Sequence, residues 1–151
     1  MSYQEKENIV NIFSALAISI TYALIIYQKH LQGQFDLTTD YQKWGIIFLI
    51  FIGVSIIARI IIYIIFSIIN SIATREEEKP ITDERDKLIK LKATRNMHYT
   101  FSLGFMFSFI GLAFGMPVFG IFLFFIGSCL LSELVENISQ IYYNRRGISH
   151  G

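Results

Sequence analysis

Hydrophobic residues along this chain fall into four runs separated by polar connections of very different length. The runs cover residues 9–27, 44–72, 98–113 and 118–142, each near the length of apolar helix that crosses a bilayer. Between them lie a polar loop at 28–43, a charged segment at 73–97 and a short Gly-Met-Pro turn at 114–117. The pattern predicts an all-α protein: a four-helix transmembrane bundle, one membrane domain over residues 1–151, whose last two helices form a hairpin.

Composition supports that solvent. Of 151 residues, 53% are hydrophobic and 15% aromatic, more apolar surface than a water-soluble domain of this size can bury. The lipid bilayer is therefore the first expected partner. A net charge of +1 gives no basic field, so nucleic acid is not expected to bind directly. The single cysteine, Cys129, rules out an internal disulfide and reads as a small packing residue. No small-residue cleavage signal follows the first run, which is expected to be retained and not removed as a signal peptide.

Charge also orients the bundle. Outside the runs, ten lysines and arginines lie in the N-terminal, 73–97 and C-terminal segments, whereas only Lys29 and Lys43 lie on the other side. Positive loops stay cytoplasmic, so the expectation is a multi-pass cell-membrane protein with both termini in the cytoplasm.

One residue breaks the second run. Arg59 sits among isoleucines, where a guanidinium costs about 2.5 to 3.5 kcal/mol on insertion scales. It lies about 22 Å along its helix from Trp44, which the sequence reading places near the midplane. Glu133 lies equally deep in the fourth run, with Glu136 one turn nearer the cytoplasm, so either could pair with Arg59. Ser55, Arg59, Tyr63, Ser67 and Asn70 follow one face of the second helix; Cys129, Glu133, Glu136, Asn137 and Gln140 share a face of the fourth. The two stripes are expected to face each other, either as a clasp that fixes helix register or as an ion or proton path. Ala15, Ser19 and Ala23, and Gly111 with Gly115, offer close helix approach, within the chain or in a homo-oligomer.

In the segment at 73–97, Pro80 ends the preceding chain, Thr82 or Asp83 can cap a new helix, and Asp83 and Glu84 suit its positive end. From Asp86 onward the pattern is amphipathic and unbroken into the third run, which predicts one helix extending into the cytoplasm. The cluster Asp83, Glu84, Arg85 and Asp86 could be read by a cytoplasmic partner through charge complementarity. The run ITDERDKLIKLKATRN resembles a family of small bacterial and archaeal membrane proteins, classed as a domain of unknown function, with an Asp-Glu-Arg-Asp element before a membrane hairpin. The likeness spans residues 81–143. It implies a membrane partner for small helix-turn-helix regulators, and it implies no activity.

No catalytic motif is present, and His30, His98 and His150 are too scattered for a metal cluster. The reading is thus a non-catalytic membrane protein without metal or cofactor, docking a cytoplasmic regulatory protein through Asp83 to Asp86. The alternative is a small oligomeric transporter or proton-coupled channel subunit using Arg59, Glu133 and Glu136.

Overall fold

The computed structural model describes residues 3–34, 36, 41–74 and 83–147. Four helices follow one another: α1 (Tyr3–Leu31), α2 (Tyr41–Thr74), α3 (Glu84–Ala113) and α4 (Val118–Arg146). Among the described residues there is no strand. They run up, down, up, down, so the start of α1 and the end of α4 share one end with the start of α3. That end is called here the terminal end, and the opposite one the loop end.

Local chemistry explains the boundaries. Asp83 caps α3 by accepting from Glu84 N at 2.7 Å, and Asp86 returns the bond by accepting from Asp83 N at 3.3 Å. This capping box satisfies donors that the first turn leaves free. Pro80 and Thr82 lie outside the described residues. α3 ends where Gly115 takes φ +80°, allowing Met116 N to bond Gly111 O and Gly115 N to bond Leu112 O. This left-handed cap closes the helix, and Pro117 begins α4 at once.

α4 is the central helix, with α3 packed along its whole length and α1 along another face. At the α3–α4 crossing a Cβ on Gly104 would overlap the Ser128 side chain, so only glycine lets the backbones come so near. Ser108, Ser128 and Ser132 are buried there. Each hydroxyl donates to a carbonyl of its own helix, at 3.1, 2.6 and 2.8 Å, which removes the cost of burying it. Gly111 serves differently from the expectation, because Met116 of the turn fills its notch.

Three helices, α1, α2 and α4, are long and apolar enough to cross a membrane. α3 is not among them: serines, threonine and His98 dilute its apolar half. The run 98–113 is 16 residues, about 24 Å against a core of about 30 Å. α2 is the extreme case, since none of its most apolar window is buried. Ile57, Ile61, Ile65 and Ile69 are all more than half exposed, a surface that water does not tolerate and lipid does.

A candidate ligand chamber closed by an ion pair

Polar side chains converge at the terminal end from all four helices. Arg59 Nη2 of α2 donates to Glu133 Oε2 of α4 at 2.5 Å. Arg59 does not reach Glu136, which instead accepts from Thr94 Oγ1 of α3 at 2.9 Å. Asn137 is buried and turns back on its own helix, donating to Glu133 O at 2.9 Å. The α4 stripe thus splits between two neighbours, α2 above and α3 below.

The α2 stripe departs from expectation. Only Ser55 and Arg59 join α4 in lining a shared pocket. Tyr63 is exposed, and Asn70 accepts from Lys6 Nζ of α1 at 3.2 Å. The reason is that α2 leans on α1 at both ends: Tyr22 OH donates to Ile47 O at 2.7 Å, Tyr22 packs on Phe51, and Tyr3 packs on Phe66. Toward α4 it makes the ion pair and two ring contacts, Trp44 on Phe122 and Phe48 on Phe125.

Below the ion pair lies a cavity of about 390 Å³. α4 contributes Glu133, Glu136, Asn137, Gln140 and Asn144, α3 contributes Asp86 and Lys90, and α2 contributes Arg59. α1 contributes Gln4, Glu7, Asn8 and Asn11, a stripe at helical spacing that sequence reasoning missed. Its signal was available as polar residues three and four apart across the start of the first apolar run.

Above the pair a second pocket of about 240 Å³ is lined by Ser19, Ser55, Cys129 and again Arg59 and Glu133. The ion pair therefore forms the wall between a charged chamber and a mid-depth pocket. Taking Trp44 as the loop-end boundary, Arg59 at about 22 Å lies in the terminal third of a core about 30 Å thick, not at its midplane. The chamber brings polar surroundings to that depth, which is how the guanidinium is tolerated.

Comparison with protein-family models, curated proteins and solved structures finds no match. What the site does must be argued from its own chemistry. Among the described residues no group of three His, Cys, Asp or Glu side chains is placed to hold a metal ion.

The cluster at the start of α3 is largely engaged within the chain. Asp83 and Asp86 cap the helix, and Arg85 Nη2 donates to Asn144 O at 3.3 Å. Glu84 is exposed. Of the small-residue stripe on α1, Ala15 is buried, whereas Ser19 and Ala23 line an open apolar cleft toward the loop end.

Proposed function

We propose that this chain is a non-catalytic, multi-pass membrane component of the transport type. Its charged chamber is open to the cytoplasm, and the Arg59–Glu133 pair closes that chamber from the rest of the bundle. The excess of lysine and arginine at the terminal end supports the orientation. The observation that carries the reading is the position of the ion pair, which walls off one cavity from the next. A clasp of structural use alone would not need a polar chamber lined by four helices beneath it. Glu136, which accepts from the Thr94 hydroxyl, is the carboxylate placed to meet a cationic group in the chamber.

The test is flux. In vesicles enclosing a pH-sensitive dye, the reconstituted chain should pass protons or small cations under an imposed potential, and Glu136→Gln should lower the rate about tenfold. Rates equal to those of protein-free vesicles for both proteins would overturn the reading.

A second reading has its own observation. The face of α3 turned away from α4 exposes Leu88 and Leu91 beside Lys87 and Arg95. That mixed surface suits a cytoplasmic regulatory protein better than the cluster at Asp83 to Asp86, most of which is engaged internally. Leu91→Asp would abolish such docking and leave flux unchanged.

A further inference from the structure

The charged chamber does not stand alone. Arg59 and Glu133 line both it and the mid-depth pocket, while Ser19 and Phe51 line both that pocket and a third space of about 500 Å³. This third space is an apolar cleft where α1, α2 and α4 splay apart toward the loop end, walled by Tyr22, Ala23, Trp44, Leu123 and Ile126. Its polar wall atoms are few, and the Tyr22 hydroxyl is already used by Ile47 O. The three spaces form one series, charged at the terminal end and greasy at the other.

We infer that the series is a binding site for an amphiphile, with a zwitterionic phosphate-and-amine headgroup in the chamber and one acyl chain in the cleft. The inference rests on the chamber being a ligand site, and names what fills it. Glu7, Asp86, Glu133 and Glu136 outnumber Arg59 and Lys90 on the chamber wall, so the headgroup must bring a cation. The phosphate takes Arg59 from Glu133, which opens the wall for the chain, and meets Lys90 as well; both cations are suited to oxyanions. Asn8 lines the same chamber, is only 4% exposed, and its Nδ2 has no hydrogen-bond partner. A buried amide donor without an acceptor is costly, and a headgroup oxygen supplies one. From Arg59 to Trp44 the path is about 22 Å long, ample for a chain that fills one leaflet of about 15 Å. The mid-depth pocket has the smallest volume of the three, about 240 Å³.

The experiment uses the full chain in phosphatidylcholine vesicles containing a small fraction of lysophosphatidylethanolamine with a photoreactive chain end. Crosslinks are expected at Tyr22, Phe51 and Leu123, displaced by unlabelled lysophosphatidylethanolamine. Ala23→Trp, or Leu123→Trp should the first fail to fold, should cut that labelling about tenfold by filling the cleft. Asn8→Ala and Glu136→Gln should each raise the competing concentration about tenfold, as loss of a polar headgroup contact requires. Labelling spread over Ile57, Ile61 and Ile65 would show bulk lipid only and overturn the assignment. So would equal competition by lysophosphatidylglycerol, which lacks the amine, or by glycerophosphoethanolamine, which lacks the chain. Flux without cleft labelling overturns the ligand and spares the transport reading; labelling without flux supports the ligand and overturns transport.

Discussion

The two ends of this bundle are held together by different chemistry. At the terminal end, α1 is tied to α2 by Lys6–Asn70 and to α4 by Glu5–Arg145, and α3 is tied to α4 by Thr94–Glu136 and by Asn96 donating to Ser139. At the loop end, beside the Tyr22–Ile47 hydrogen bond, rings predominate: Trp44 stacks on Phe122 with centroids 5.6 Å apart, and Phe125 meets Phe48, Phe101 and Phe105. At the terminal end the ring contact between helices is Tyr3 on Phe66. Hydrogen bonds fix distance and register, whereas ring contacts accept many offsets. The difference teaches why one end carries a charged chamber and the other an apolar cleft. Polar pairing sets where the helices stand, and apolar packing lets them part.

The comparison can be broken most severely where the ends meet. Gly104→Leu forces a side chain into Ser128, and should cost about 3 kcal/mol of stability by separating α3 from α4, read as loss of the folded species in mild detergent. Within the loop end, Phe125→Ala removes three ring contacts and should cost about 2 kcal/mol, while Phe125→Leu should cost about 1 kcal/mol or less. At the boundary, Arg59→Leu or Glu133→Leu should each cost about 1 to 2 kcal/mol and the double variant almost nothing. That is below the figure for a dry ion pair, because the Arg59 side chain keeps 45% of its surface accessible and a lone charge stays hydrated from the chamber. The smallest effect belongs to the rim, where Glu5→Gln should cost about 0.5 kcal/mol and vanish in high salt, since the Arg145 side chain is 60% exposed. Thermal unfolding of the series would rank the contacts.

Much of this was legible in sequence. Four helices, their order and the tight turn followed from apolar runs and from Gly115 and Pro117, because helix length and turn chemistry are local properties. Equal depth brought Arg59 and Glu133 into view as partners, and in the structure they meet. The choice of Glu133 over Glu136 was not legible, since it depends on Thr94 of a third helix approaching from another side. Nor was the turning of Asn70 toward Lys6, which follows from α2 leaning on α1. The stripe Gln4, Glu7, Asn8 and Asn11 was readable as polar residues at helical spacing running into the first run. Asp83 was legible as a cap of α3 and is one; that Asp86 completes the box, leaving less of the cluster for a partner, was not, because that depends on side-chain geometry within the first turn.

The central claim is that the ion pair closes the chamber, and Cys129 provides a native reporter on the far side of it. This one cysteine lines the mid-depth pocket beside Arg59 and Glu133. Its reaction with a charged, membrane-impermeant thiol reagent, supplied from the terminal side of oriented vesicles, should be slow in the parent chain. In Arg59→Ala it should be about tenfold faster, the change that removing a barrier of about 1.4 kcal/mol produces. Equal rates in the two proteins, whether both fast or both slow, would contradict the account.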